Sequence, residues 1–102
     1  MTTTIKRVGV AGGGLMGSGI AEVCAKSGYE TVVREVSDDL VRSGIARIES
    51  SLVKAVERSK LTAADRDAAR GRLKVTTRLQ DLAGCDLEID VAEGLDLLAG
   101  GR

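Results

Sequence analysis

Three glycines stand at the spacing of a phosphate-binding turn. Gly12, Gly14 and Gly17 form the pattern G-x-G-x-x-G in the run GGGLMG, directly after the β-branched segment 5–10. The first glycine permits a tight turn, the second lets the backbone approach a pyrophosphate, and the third lets a helix pack closely on a strand. A helix that begins here presents free N–H groups and its positive dipole end to the anion. Because the pattern alone is weak evidence, a glycine turn that only joins strand to helix is the alternative.

Glu35 is the second candidate for a dinucleotide site. It lies near the end of a β-rich run, residues 30–36, at roughly the 20-residue offset where an acidic residue meets the adenosine ribose. Its carboxylate would accept hydrogen bonds from both ribose hydroxyls and repel a 2′-phosphate, which favours NAD over NADP. Strand alternation predicts that Arg34 points to the opposite face. A solvated charge at a strand end is the alternative for Glu35. The predicted cofactor-binding set is Gly12, Gly13, Gly14, Leu15, Met16, Gly17 and Glu35.

Candidates for catalytic and metal-binding residues are scarce. The chain has no histidine, which removes the commonest general acid/base and the commonest metal ligand. Glu22, Lys26 and Glu30 are better explained as surface charges of their helix or strand. Cys24 and Cys85 are far apart and lack CxxC spacing, so we expect a reduced, cytoplasmic protein. We therefore predict neither a catalytic residue nor a metal site within the chain.

The composition of the chain indicates which classes of binding partner to expect. Lys plus Arg and Asp plus Glu number 15 each, so no overall charge attracts the chain to nucleic acid or an anionic membrane. One Tyr and no Phe or Trp exclude an aromatic platform for stacking bases. Charges or glycines interrupt every apolar run well before the roughly 18 residues of a membrane span. We expect no nucleic-acid partner and no membrane partner, and 102 residues allow one domain at most.

The elements that position these residues alternate between strand and helix. The patterns predict a strand at 5–10, a helix from Met16 to Ser27, a strand at 30–36, a long helix from Ser37 to about Arg58, a shorter helix opened by Thr62 and Asp65, a strand at 73–77 and a candidate strand at 86–92. This order predicts an α/β fold: a Rossmann-type doubly wound parallel sheet, incomplete, with about three to four strands and flanking helices.

Two apolar stripes predict how the first two helices pack. Helical spacing places Met16, Ile20, Val23, Cys24 and Ser27 on the inner face of the first helix. In the long helix the stripe consists of Val41, Ile45, Ile48, Leu52 and Val56. We therefore expect each helix to pack on the sheet by one face.

The last part of the chain has the weakest pattern. Glu88 and Asp90 interrupt an apolar run that a buried parallel strand would need. Residues 92–102 have three glycines, no capping residue and no clear period. We therefore assign residues 1–91 to a partial domain and predict a loose tail at 92–102.

The run IKRVGVAGGGLMGSGIAEVCAKSGYETVVREVSDDL resembles the N-terminus of 3-hydroxyacyl-CoA dehydrogenases, including bacterial 3-hydroxybutyryl-CoA dehydrogenases. Beyond the glycines, the likeness includes LMGSGIA, SGYETVV and the acidic Glu35, and it covers roughly the first ninety residues. The resemblance implies an NAD-dependent enzyme of fatty-acid or butanoate metabolism that oxidises the 3-hydroxyl of an acyl-CoA. It also implies a homodimer in the complete enzyme, although the family's dimer contacts belong to a further helical domain.

The same resemblance implies a coenzyme A contact on the long helix. Ser51 matches a CoA-binding serine of the family, and Arg58 stands where the family can carry a lysine. Lys60 lies nearby, so a positive charge stays available for a phosphate. From the residues alone, a solvated helix face explains these three side chains better than a coenzyme A contact does, and the resemblance makes the two explanations equal.

This sequence departs from the family after about Ile89. Where the family reads close to DLVIEAVVE, this chain reads DLEIDVAEG, and the family's histidine base with its glutamate partner has no counterpart here. We therefore expect an N-terminal piece of such a dehydrogenase, inactive by itself. A stand-alone, non-catalytic NAD-binding module is one alternative. A Rossmann dehydrogenase with an unrelated substrate is another, and it would have no use for Ser51 and Arg58.

Overall fold

The computed structural model describes residues 5–12 and 14–91, with only the backbone described at Leu15. Its elements in chain order are β1 Arg7–Ala11, α1 Gly14–Lys26, β2 Glu30–Arg34, α2 Asp38–Glu57, α3 Ala63–Gly71, β3 Leu73–Thr76, a short 3-10 helix Leu79–Leu82, and β4 Leu87–Asp90. The alternation of strand and helix that the sequence predicts is confirmed. Strand ends differ from the predicted ones by one or two residues, as is usual where hydrogen bonding frays.

The four strands form one parallel sheet in the order β3-β2-β1-β4. β1 pairs with β2 on one side and with β4 on the other, so Val10 lies beside both Val33 and Ile89. The chain thus winds outward from β1 to β3 and then crosses to the opposite edge for β4. In such a sheet ligands bind outside the carboxyl ends of the strands, where the strand order reverses.

The described α-helices lie on one face of the sheet, and the 3-10 helix lies on the other. The core joins Val8, Val10 and Val33 of the sheet to Ile48 and Leu52 of α2, which are all at most 2% exposed. On the opposite face, a Cβ added at Gly9 would lie 3.0 Å from Leu82 and 3.1 Å from the sulfur of Cys85. The crossover from β3 to β4 therefore uses the second face, which confirms the doubly wound arrangement.

The buried face of α2 agrees with the apolar stripe predicted from the sequence, whereas the buried face of α1 does not. On α2, Ile48 and Leu52 are buried, and the rest of the predicted stripe is half-buried: Val41, Ile45 and Val56. On α1, the predicted inner face is wrong. Met16 is 51% exposed, Val23 is 60% exposed and Ser27 is exposed.

The buried face of α1 consists of small residues. Gly17, Ala21 and Ala25 are buried, whereas Ile20 and Cys24 are half-buried and pack on the margin of the core. Small side chains allow the helix axis to approach the sheet closely, and a periodicity search for large apolar residues overlooks them.

Hydroxyl side chains cap the helices that follow β2. The Ser37 hydroxyl accepts a hydrogen bond from the backbone N–H of Leu40 at 3.2 Å, and Asp38 and Asp39 occupy the first turn of α2. The Thr62 hydroxyl accepts one from the N–H of Asp65 at 3.0 Å. Both predicted caps are confirmed, because capping depends on neighbouring residues alone.

The fourth strand forms despite its charges. Glu88 lies opposite Gly9 and Asp90 opposite Ala11, on the face turned away from α1 and α2, and both acidic residues are exposed. Ile89 points the other way and packs against the core. Alternation of side chains thus accounts for the interruption in the apolar run. The predicted tail at 92–102 lies outside the described residues.

Candidate cofactor site

The glycine turn needs the backbone freedom of glycine at two positions. Gly12 has φ 71° and Gly14 has φ 49°, both in the left-handed region that side chains rarely adopt. The N–H of Gly12 donates to the carbonyl of Arg34 at 2.9 Å, so the turn begins while β1 is still paired with β2. The chain then enters α1 at Gly14.

Gly17 brings the helix against this turn. A Cβ at Gly17 would overlap the carbonyl oxygen of Gly12 and lie 3.7 Å from the side chain of Val10. The hydroxyl of Ser18, one residue later, donates to the carbonyl of Gly14 at 3.0 Å. The third glycine of the motif is therefore required by close backbone packing, for the reason that the sequence suggested.

The first turn of α1 keeps its positive dipole end free of acidic side chains. Its first turn contains no Asp or Glu, whereas α2 has Asp38 and Asp39 there and α3 has Asp65. The first N–H groups of a helix have no partner within the helix, so they are available to an anion. Among the other predicted cofactor residues, Met16 is half-exposed on this turn, Gly13 lies outside the described residues, and of Leu15 only the backbone is described.

Glu35 lies beside the glycine turn. The register pairs Ala11 with Arg34, so the next residues of the two strands, Gly12 and Glu35, are neighbours at the carboxyl edge of the sheet. The N–H of Glu35 donates to the carbonyl of Thr76 at 2.8 Å, which fixes its backbone between β1 and β3. Its side chain is only 3% exposed. Within residues 5–12 and 14–91, the carboxylate of Glu35 has no hydrogen bond or ion pair.

Burial and charge act on this carboxyl group in opposite directions. Burial raises the pKa of Glu35 above its usual range, while the positive charges of Arg47 and Arg34 lower it. Arg34 itself is held elsewhere, because its Nε donates to the carbonyl of Thr77 at 3.1 Å. A carboxyl group in a buried residue, without a hydrogen-bond partner among residues 5–12 and 14–91, is available to accept hydrogen bonds from a hydroxylated ligand.

The three residues proposed for coenzyme A are not gathered in one cavity. Ser51 faces α1, where its hydroxyl donates to the carboxylate of Glu22 at 2.9 Å, and Lys26 lies 3.2 Å from the same oxygen. Arg58 caps the end of α2 and is exposed. Lys60 lines a separate cavity of about 380 Å³ between α2 and α3. Ser51 and Arg58 are two helical turns apart, roughly 10 Å along the axis, so only an extended ligand can reach both.

Arg47 belongs to this region, and our sequence analysis did not identify it. Its guanidinium donates to the hydroxyl of Ser18 at 3.4 Å across the groove between α1 and α2, a cavity of about 170 Å³ that Ser51 and Glu22 also line. Arg47 and Ser51 are four residues apart and share a helix face. That spacing was visible in the sequence, but the partner across the groove was not.

The remaining candidates give no further site. Cys24 and Cys85 are free thiols, and burial raises the pKa of each. In the part of the chain that the structure describes, no three His, Cys, Asp or Glu residues are arranged to hold a metal ion. Across the same residues, no helix is both long and apolar enough to cross a membrane.

A strand, a left-handed glycine turn, a closely packed helix and a buried acid on the next strand together define a dinucleotide-binding domain of the Rossmann type. The family model for the NAD-binding domain of 3-hydroxyacyl-CoA dehydrogenases matches residues 7–97. The chain belongs to this family, whose domain binds NAD.

Named relatives agree with this assignment. The chain is 48% identical over 90 residues to 3-hydroxybutyryl-CoA dehydrogenase of Mycobacterium tuberculosis, covering 88% of this chain and 32% of the relative. It is 41% identical over 92 residues to the Bradyrhizobium diazoefficiens enzyme of the same name, covering 90% of this chain and 31% of the relative. The chain thus spans about a third of the curated relatives that it matches.

Solved structures share the fold. The crystal structure of M. tuberculosis FadB2 superposes with a TM-score of 0.83 at 48% identity, covering 86% of this chain and 31% of that one. The (S)-3-hydroxybutyryl-CoA dehydrogenase PaaH1 of Ralstonia eutropha gives a TM-score of 0.81 at 40% identity, covering 85% and 31%. The parallel sheet and its flanking helices therefore match those of dehydrogenase N-terminal domains.

Proposed function

We propose that this chain is the NAD-binding portion of a 3-hydroxyacyl-CoA dehydrogenase of the 3-hydroxybutyryl-CoA type. Such an enzyme oxidises the 3-hydroxyl of an acyl-CoA to a 3-keto group. The observation that carries the proposal is Glu35, a residue that is 3% exposed and lies beside the glycine turn, in a chain that belongs to this family.

Each part of the site has a separate role in this proposal. NAD supplies the hydride acceptor when it is bound. The N–H groups at the start of α1 bind the pyrophosphate, Gly14 leaves room for its approach, and Gly17 lets α1 pack against the turn. Glu35 accepts hydrogen bonds from the adenosine ribose. Removal of the hydroxyl proton needs a base, and we assign that step to no residue of this chain, which has no histidine.

A titration with NADH and NADPH, followed by cofactor fluorescence, tests the proposed cofactor. We expect NADH to bind at least about tenfold more tightly than NADPH, since the carboxylate of Glu35 repels a 2′-phosphate. Glu35→Gln should reduce this preference, and Glu57→Gln, a change at an exposed residue of α2, should preserve it. Equal or tighter binding of NADPH by the unaltered chain would contradict the role of Glu35.

We propose further that the end of α2 binds the phosphates of coenzyme A. Exposed Arg58 and Lys60 support this idea, because the two cations are close in sequence and, among the described residues, neither makes an ion pair of the kind that engages Arg42 and Arg70. Ser51 is a weaker candidate, since Glu22 already accepts its hydrogen bond. The substrate class, acyl-CoA, follows from this proposal.

Calorimetric titration with coenzyme A and with dephospho-coenzyme A tests the second proposal. Arg58→Gln with Lys60→Gln should weaken coenzyme A binding by about tenfold, as loss of charged hydrogen bonds to phosphate does. Arg42→Gln, which removes a cation paired with Asp39, serves as the matched control. Unchanged affinity in the double variant would rule out these two cations.

We also propose a cytoplasmic location, which the two unpaired thiols support. Cys24 packs on the helix-covered face of the sheet, whereas Cys85 lies against Gly9 on the other face. Assembly as a homodimer stays a prediction from the resemblance.

A further inference from the structure

Arg47 reaches from α2 to the first turn of α1. Its Nη1 donates to the hydroxyl of Ser18 at 3.4 Å, and that hydroxyl donates to the carbonyl of Gly14 at 3.0 Å. Ser18 is 4% exposed and Arg47 is half-buried. Two hydrogen bonds in series therefore connect a guanidinium to the glycine turn.

Glu35 approaches the same region from the sheet. Alternation along β2 directs Thr31 and Val33 to the side that α1 and α2 cover, and Glu35 follows them at the strand end. The residue is 3% exposed, and its carboxylate has no hydrogen-bond partner among the described residues. Arg47 is the cation that acts most strongly on it.

Other charged side chains near Arg47 have partners of their own. On α1, Glu22 and Lys26 pair with each other at 3.2 Å. On the strand of Glu35 itself, Arg34 donates to the carbonyl of Thr77.

The neighbouring strand β3 contributes no free charge to this side. There Lys74 and Asp81 lie 3.5 Å apart on the face turned away from α1 and α2, and Asp81 also accepts a hydrogen bond from the hydroxyl of Thr76 at 2.7 Å. Arg47 is thus the cation of a packed helix that combines a hydrogen bond to the first turn of α1 with an electrostatic effect on Glu35.

The charge state of Glu35 decides what it can bind. A carboxylate accepts strong hydrogen bonds from both hydroxyls of a ribose and repels a phosphate at the 2′ position. A neutral carboxylic acid fills the same space without that repulsion. Burial raises the pKa of Glu35, and the positive charge of Arg47 lowers it, so this cation favours the charged form of the carboxyl group that discriminates between the two ligands.

We propose that Arg47 is a positioning residue that sets the dinucleotide preference of this site, by holding a positive charge at the glycine turn where Glu35 must present a carboxylate to the ribose. Ser18 fixes the guanidinium in place. The inference rests on the proposed NAD site and adds to it a specificity residue on a different element from the glycine motif and Glu35.

Calorimetric titration with NAD and with NADP, from about pH 5.5 to about pH 8.5, tests the inference. Arg47→Gln keeps a side chain that can hydrogen-bond Ser18 but removes the charge. It should weaken NAD binding by roughly three- to tenfold at neutral pH and shift the acid-side loss of NAD affinity to higher pH, since Glu35 then protonates more easily. The preference for NAD over NADP should fall together with the affinity for NAD.

Two further variants separate this role from a structural one. Arg47→Lys keeps the charge and should restore the pH profile of the unaltered chain. Arg42→Gln makes the same change at a side chain of α2 that is 71% exposed and paired with Asp39, and it should leave the profile unchanged. A purely structural role of Arg47 would lower the unfolding temperature without moving the pH profile.

The outcomes test the role of Arg47 separately from the proposed binding of NAD. An unaltered chain that binds no NAD contradicts the proposed function. An unaltered chain that binds NAD, together with Arg47→Gln binding NAD and NADP with the same pH profile, overturns only the role of Arg47. If Arg47→Gln does not fold, Arg47→Lys decides: a folded lysine variant that loses the NAD preference overturns the proposal, and one that keeps it supports the charge as the cause.

Discussion

Gly17 and Glu35 both lie near the carboxyl edge of the sheet, but they affect the stability of the fold in opposite ways. Gly17 lies where a Cβ would overlap the carbonyl of Gly12, so its small size serves the packing of α1 against the turn. Glu35 is a buried residue whose carboxylate has no hydrogen-bond partner among residues 5–12 and 14–91, so its burial opposes folding, and its charge acts on the ligand in the site proposed above. The two residues therefore give different predictions for substitution.

Gly17→Ala should destabilise the fold severely. The new methyl group would meet the backbone of Gly12, which cannot move without breaking the turn, and the cost should reach about 3 kcal/mol or more. Gly19→Ala on the same helix is the matched control, since a Cβ there meets nothing within 4 Å. It should stabilise the helix by up to about 1 kcal/mol. Urea unfolding of both variants checks this, and equal stabilities would refute the close packing of Gly17.

Glu35→Gln should stabilise the ligand-free protein at neutral pH. The folded state raises the pKa of Glu35, so it binds the proton more tightly than the unfolded chain does. Stability from this group is full below the ordinary glutamate pKa, about 4.3, and is lost as pH rises through the higher folded value. The glutamine variant should lack this decline. Urea midpoints across pH, with exposed Glu57→Gln as control, test the sign, and a less stable glutamine variant at neutral pH would contradict it.

At the scale of elements, residues close in sequence determine where a helix begins, whereas tertiary packing determines which face of the helix is buried. Ser37 and Thr62 begin α2 and α3 with the side-chain hydrogen bonds that their types predict. The inner face of α1 follows a different rule, because Ala21 and Ala25 are fully buried while Val23 is exposed. A helix that lies close to a parallel sheet needs small side chains on its buried face. The hydrophobicity of the residues does not by itself identify that face.

Ser37→Ala should cost about 1 kcal/mol of unfolding free energy, the usual value of an N-cap serine. The backbone N–H of Leu40 loses its acceptor, and water replaces it only in part. Ser43→Ala, at an exposed position inside α2, should be neutral or slightly stabilising because alanine is the better helix former. Thermal unfolding of the two variants compares them directly. If both lose the same stability, the cap contributes nothing.

At the scale of the whole molecule, the described sheet ends at β3 and β4, and β4 has the more exposed surface. Leu87 is 44% exposed, and Glu88 and Asp90 are also exposed. The chain meanwhile spans about a third of its curated relatives. These facts agree with the cofactor-binding role proposed above.

We expect the 102-residue chain to bind NADH but not to oxidise it with acetoacetyl-CoA. The chain has no histidine to exchange the hydroxyl proton, and a cofactor does not supply that base. An absorbance assay for NADH, with the complete M. tuberculosis relative as positive control, measures this. Turnover by the chain alone would overturn the division of roles proposed above.

Sequence-local information was sufficient for much of this protein. The order of elements, both hydroxyl caps and the glycine turn follow from patterns within about twenty residues, since backbone conformation and capping depend on close neighbours. Glu35 also followed from its offset, because the end of the second strand of such a unit always meets the first turn.

Only the tertiary structure decided what lies across each interface. The burial of Glu35 depends on residues far apart in the chain, as do the hydrogen bond of Arg47 to Ser18 and that of Ser51 to Glu22. Tertiary packing also decided that small residues form the inner face of α1. Sequence spacing gives the face on which a side chain stands, but packing of helix on helix and helix on sheet determines which groups it meets there.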